Sequence, residues 1–170
     1  MKNITCCFTG HRPNKLFGYD MNNKSYQNLA KRVKRLAHYL HTEYGVINFI
    51  SGGAIGFDTV AFFAIESLKK DYPSIKNILA VPFIGQESKW KEDSIERYKK
   101  MLNLADDIIY VDQIEKYKAS SVAGKLNKRN HYMVDNSSYL IACYDGTKGG
   151  TYNCLEYAAK TGLSHLYNTF

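Results

Sequence analysis

The sequence predicts an α/β fold: a single Rossmann-like domain, with a mainly parallel sheet and helices on both of its faces. Three observations carry this. Short β-rich runs alternate with amphipathic helical windows along the whole chain. The runs are nearly continuous apolar stretches, as strands covered on both faces must be. Two strand-to-helix joints are rich in glycine, at the place where open parallel sheets hold their ligands.

The elements follow in order. Residues 4–9 form a first strand, in which adjacent Cys6 and Cys7 project to opposite faces. A loop through Asp20 leads to a helix over 25–44, where Tyr26, Leu29, Val33, Leu36, Leu40 and Tyr44 recur at steps of three and four. Lys31, Arg32, Lys34, Arg35 and His38 are then its solvated face. A second strand over 46–50 ends in the turn Ser51-Gly52-Gly53-Ala54-Ile55-Gly56, and a helix over 57–70 carries Val60, Ala61, Ala64, Ile65 and Leu68 on one face. The third strand, 78–82, closes at Pro82. The next helix, 87–104, has Trp90, Tyr98, Met101 and Leu102 as apolar markers. Residues 107–111 make a fourth strand, and the polar segment 112–124 shows no regular pattern. A helix over 125–136, a fifth strand over 139–144 and the turn Asp145–Gly150 follow. A helix over 151–161, with Gly162 as its C-cap, and a short strand over 163–167 complete the chain.

Composition narrows the function classes. With 170 residues, 45% hydrophobic and 23% charged, the chain can bury a core, which excludes a disordered chain, a collagen and a disulfide miniprotein. No stretch approaches the roughly 18 apolar residues of a membrane span, and the first residues lack the apolar run of a signal peptide, so a cytoplasmic protein without membrane contact is expected. The balance of 23 Lys+Arg against 16 Asp+Glu, a net +7, suits an anionic partner. Nucleic acid is one such partner, yet the basic helix face explains much of the excess without it. Cys6, Cys7, Cys143 and Cys154 have no metal-ligand spacing, so buried free thiols are expected, with no metal and no cofactor. A homo-oligomer is the expected assembly.

Three turns could carry chemistry. Thr9-Gly10-His11-Arg12-Pro13 follows the first strand; its glycine would let backbone approach a ligand, while His11 and Arg12 offer donors to an anion. Ser51, Gly52, Gly53 and Gly56 lead into a helix whose N-terminus supplies N–H groups and positive dipole. It is neither a Walker A loop nor a GxGxxG dinucleotide loop. Asp58 either caps that helix or accepts from a ribose hydroxyl. Asp145, Gly149, Gly150 and Thr151 form the third turn, which would face the same crevice as the second. Pro82, Gln86 and Trp90 follow the third strand, where Gln86 and Trp90 either bind and stack on a base or belong to the core. Arg129 and Asn130 face partly inward, and an inward Arg requires an anion from ligand or protein.

Taken together, Thr9-Gly10-His11-Arg12-Pro13, Ser51-Gly52-Gly53-Ala54 with Gly56 and Asp58, Val81-Pro82-Phe83 with Gln86 and Trp90, and Gly149-Gly150-Thr151 resemble the SLOG superfamily, most closely its YpsA/YoqJ-like bacterial and phage branch. The resemblance spans almost the whole chain. It implies a Rossmann-like fold that binds a nucleotide or a nucleotide-derived, ADP-ribose-like molecule as sensor, carrier or sequestering protein. More distant relatives include the DNA-processing protein A, which keeps single-stranded DNA binding open, and the lonely-guy phosphoribohydrolases. Those hydrolases carry Gly-Gly-x-Gly-Thr-x-x-Glu. Aligning Gly150-Thr151 with its Gly-Thr puts Cys154 at the glutamate position, and Glu156 lies about 200° around the helix from there. Arg129 matches the hydrolase arginine, but the missing carboxylate favours binding over turnover of nucleoside monophosphates.

Overall fold

A computed structural model describes residues 1–163 and 165–170. Its strands are β1 (Thr5–Gly10), β2 (Asn48–Ser51), β3 (Lys76–Val81), β4 (Asp107–Tyr110), β5 (Tyr139–Cys143) and β6 (His165–Asn168). The helices are α1 (Lys24–Tyr44), α2 (Phe57–Lys69), α3 (Glu92–Leu104), α4 (Val122–Asp135) and α5 (Gly150–Lys160). The strands pair in the order β4-β3-β2-β1-β5-β6, and every pairing is parallel. The chain therefore starts in mid-sheet, builds outward to β4, then crosses back through α4 to lay β5 on the other side of β1. Gly10 pairs with Cys143 at that reversal, the switch point where open α/β sheets hold their ligands.

Strand side chains alternate, so the two sheet faces bury different helices. Cys6, Phe8 and Phe49 pack with Leu29, Val33 and Leu40 of α1 and with Phe57, Ala61 and Ile65 of α2. Cys7, Ile50, Leu140 and Ala142 face the other way, onto Met133 and Val134 of α4 and Cys154 and Ala158 of α5. Cys6 and Cys7 thus part to opposite faces as expected, and all four cysteines are buried and free. Phe62 and Met101 join α2 to α3 over Leu79 and Val81. Each fully buried Leu or Phe contributes about 2 kcal/mol of burial free energy. No helix among the described residues is long and apolar enough to cross a membrane.

Capping explains where the helices differ from expectation. Ser121 Oγ accepts from the Gly124 N–H at 3.0 Å, so α4 begins at Val122, ahead of residue 125. The unpatterned segment before it holds two short 3₁₀ turns, Val111–Gln113 and Glu115–Tyr117. The helix expected from residue 87 starts only at Glu92. Lys91 is extended, Glu92 and Asp93 place negative charge at the new N-terminus, and residues 85–90 form turns instead. Trp90 is therefore a turn residue and not a helical one. Tyr44, assigned to the apolar face of α1, is 46% exposed because the helix ends there at Gly45, whose φ of 69° reverses the chain. Of the expected final strand 163–167, Ser164 lies outside the described residues and pairing runs over His165–Asn168.

Candidate functional site

Parallel pairing puts the carboxyl ends of β1, β2 and β5 on one edge, so the three turns gather there. A crevice of about 420 Å³ opens between them. Thr9, Gly10, His11 and Arg12 line it from the first turn, Asp58 from the second, and Gly149, Gly150 and Thr151 from the third. Arg129 and Asn130 of α4 form another wall, facing inward as their periodicity predicts. Ser51, Gly52, Gly53 and Gly56 do not line it.

The glycines explain this division. A Cβ on Gly10 would overlap the Phe57 ring, so the core requires a glycine here, and its backbone still borders the crevice. A Cβ on Gly56, where φ is 90°, would stand 2.6 Å from the His11 carbonyl, and the Phe57 N–H donates to that carbonyl at 3.1 Å. Gly53, at φ 69°, lies against Gln86 and Tyr98. A side chain on Gly52 would collide with the Arg129 guanidinium. The space beside these glycines is thus filled by protein: Gly56 seats the first turn and Gly52 seats α4, while Ala54 between them reaches the crevice. Ser51 is fully buried beneath the second turn.

Arg129 and Asp58 form the buried floor of the crevice. Arg129 Nη1 donates to the Gly52 carbonyl, Nε donates to Asn130 Oδ1 at 2.9 Å, and Nη1 lies 3.9 Å from Asp58 Oδ2. That same oxygen accepts from the Ala54 N–H at 3.2 Å, so Asp58 ties down the turn rather than capping α2; the N-cap position is Gly56. Burial raises the Asp58 pKa against the pull of Arg129, and burial lowers that of Arg129 against the pull of Asp58. Each group thus offsets part of the cost of burying the other. Asn130 spends its carbonyl oxygen on Arg129, while its amide donates to nothing among the described residues.

The third turn is the open one. Gly149 occupies the N-cap of α5 at φ 152°, and side chains at Gly146 and Gly150 would meet open space. The first N–H groups of α5 therefore face the crevice beside the buried Thr151 hydroxyl. His11 braces this turn from below: its Nε2 lies 2.7 Å from Asp145 Oδ1 and 3.1 Å from the Asp145 nitrogen. Protonated, Nε2 donates to the carboxylate; bare, it accepts from the N–H. The Thr147 hydroxyl and N–H also donate to Oδ1, at 2.6 and 2.9 Å, and with His11 they hold the Asp145 carboxyl well below the usual carboxylate range. Asp145 orders the turn; it does not line the crevice.

Gln86 and Trp90 border a second cavity, of about 540 Å³; Pro82 is buried and does not line it. Gln86 is itself 9% exposed and reaches the Gly52 carbonyl at 3.5 Å. Trp90 is half-buried, edge-on to Tyr98 at 5.4 Å. Lys15, Leu126 and Asn127 are crevice residues that the motifs do not reveal. The latter two sit four and three residues before Asn130, so extending its helical face backwards finds them. Lys15 donates to Thr147 Oγ1 at 2.9 Å and to the Lys148 carbonyl at 3.0 Å, a strap for which the local sequence carries no signal. No group of three or more His, Cys, Asp or Glu able to hold a metal occurs among the described residues.

The fold and this edge define a Rossmann-like protein with a cationic crevice and an open helix N-terminus at its switch point. The chain belongs to the SLOG family: the model described as "YspA SLOG family" matches residues 6–169. It is 43% identical over 151 residues to the uncharacterized SPbeta prophage-derived protein YoqJ of Bacillus subtilis, covering 85% of this chain and 88% of that one. A UPF0398 protein of Halalkalibacterium halodurans is 32% identical over 169 residues, covering 99% and 86% of the two chains, and one of Bacillus thuringiensis is 31% identical over 163, covering 95% and 86%. Membership of this family points to a nucleotide-related role.

Proposed function

We propose that the protein binds a nucleotide or a nucleotide-derived, ADP-ribose-like molecule in the switch-point crevice, as sensor, carrier or sequestering protein. One observation carries the reading: the N-terminus of α5 opens onto a cavity that also holds the unspent Asn130 amide, 9% exposed, and the buried Thr151 hydroxyl. Unpaired N–H groups and a positive helix end favour a phosphate there, and Arg12 and Arg129 add charge beside it. Family membership supports the same ligand class.

A hydrolase reading finds less support. Cys154 is 1% exposed, and burial pushes its thiol up to about 11, so it is neither a carboxylate substitute nor a ready nucleophile. Glu156 points out, accepting from the Tyr152 hydroxyl at 2.6 Å. Calorimetric titration with AMP and ribose 5-phosphate tests the binding reading. Saturable binding of either supports it; absence of heat and of thermal stabilisation with both sinks it.

A further inference from the structure

The sheet has two open edges, and they are built differently. At one, β4 begins at Asp107 directly after Asp106, and charge at a strand's start discourages a further strand. At the other, β6 bonds to β5 alone among the described residues, and His165-Leu166-Tyr167-Asn168 contains no Lys, Arg, Asp, Glu or Pro to guard it. Leu166 is 44% exposed there. Helix α1 runs beside this edge in the opposite direction: Arg32 Nε donates to the Thr169 carbonyl at 3.1 Å, and the Tyr44 ring lies 6.5 Å from that of His165. Arg32, Leu36, Tyr39 and Glu43 follow at steps of four, three and four, so they share one face of α1. Leu36 packs on the same core cluster as Tyr167, and Tyr39 is near enough to feel the Tyr167 hydroxyl. The middle of this face is apolar and its ends carry opposite charges. Neither Arg32 nor Glu43 has an ion-pair partner among the described residues. None of these residues lines the crevice.

At a net charge of +7, two copies of this chain repel on average, so a self-contact needs a surface where charge is absent or opposed. The β6 edge supplies both. A twofold axis normal to the sheet reverses β6 and α1 together. Strand side chains alternate between faces, so such an axis pairs only residues whose numbers differ by an even count. Centred on Tyr167, it sets the two Tyr167 side chains opposite each other, His165 against Thr169 and Leu166 against Asn168. Because Arg32 lies beside Thr169 and Tyr44 beside His165, the same axis brings Arg32 of each copy toward Glu43 of the other, and Leu36 toward Tyr39. One operation thus answers the open strand, the apolar middle and both unpaired charges. We infer that the protein forms a twofold-symmetric dimer in which β6 pairs antiparallel with β6 of a second copy. The two six-stranded sheets become one, flanked on one face by the paired α1 helices.

Sedimentation of the whole chain tests this. At micromolar concentrations the wild type should sediment with twice the 19.4 kDa chain mass and dissociate on dilution. Leu166→Lys places two ammonium groups at the junction from an exposed position, so this variant, shown by its melting curve to be folded, should be monomeric. Arg32→Glu and Glu43→Arg each set like charges face to face and should each weaken the dimer several-fold. Combining the two reversals opposes the charges again and should recover wild-type association, which a purely structural role of either residue would not produce. A monomer at every concentration would overturn the inference. So would a dimer that Leu166→Lys leaves unchanged, since another face would then hold it. A combined variant as weak as either single one would overturn the antiparallel arrangement.

Discussion

Arg129 Nη1 donates to the carbonyl of Gly52, and the guanidinium occupies the space that a side chain at residue 52 would fill. A crevice wall on α4 is thus seated by a glycine after β2, 77 positions away. Gly52→Ala should expel the guanidinium and leave Asp58 buried without its partner. The expected loss is about 3 kcal/mol. Urea unfolding should show it as a lower midpoint with an unchanged slope; a midpoint equal to wild type would mean that the pair has no such dependence.

Gly150→Val separates binding from folding. Its side chain meets no atom near its Cβ position, so the melting temperature should stay within a few degrees. The new methyls intrude on the N–H groups at the head of α5, and ribose 5-phosphate should bind about tenfold more weakly or worse. Calorimetry on the folded variant decides; undiminished affinity would place the phosphate elsewhere.

The two site aspartates should tilt stability with pH in opposite senses. Asp145 titrates in the fold below its ordinary 3.8, so its contribution is complete above that value and is lost as pH falls through the depressed one. Asp58 is raised by burial, so its contribution is complete below 3.8 and is lost as pH rises through its folded value. Urea midpoints measured from about pH 2 to 7 should therefore fall less steeply on acidification in Asp145→Asn. In Asp58→Asn the loss with rising pH should disappear; the slope is the readout, because the removed charge also changes the level.

Incubation with nucleoside monophosphates should leave them intact, since Glu156 of α5 faces solvent and Cys154 is sealed in the core. Chromatography of the products checks this. Release of free base that vanishes in Glu156→Ala would show that the α5 alignment fails. Release that vanishes in His11→Ala or Asp58→Asn would make the crevice catalytic by another route.

The parallel sheet was legible because fully covered strands leave an unbroken apolar signature, as in β5, where every residue is buried. The three turns were legible as glycine-bearing joints. Their individual tasks were not. Gly10, Gly52 and Gly150 look alike in sequence, yet Phe57 fills the space beside the first, Arg129 that beside the second, and nothing that beside the third. Those neighbours come from other elements, so no local pattern encodes them. Trp90 differs for a related reason: it stands eight residues before Tyr98, a helical spacing, while the Gly85 turn and the acidic pair at Glu92 and Asp93 set the true start of α3. Lys15 was invisible because its partners, Thr147 and Lys148, lie more than a hundred positions downstream.

The switch point also sets the order in which this molecule becomes competent. His11 meets Asp145 across 134 positions, and no wall of the crevice is complete until α4 has returned and β5 has docked beside β1. A chain folded only through β4 would own half of each contact and no pocket. A ligand of the proposed kind would accordingly be held only by molecules whose two halves have met. Its binding free energy would be withheld from partly assembled chains and would reinforce the last long-range closure rather than any single element.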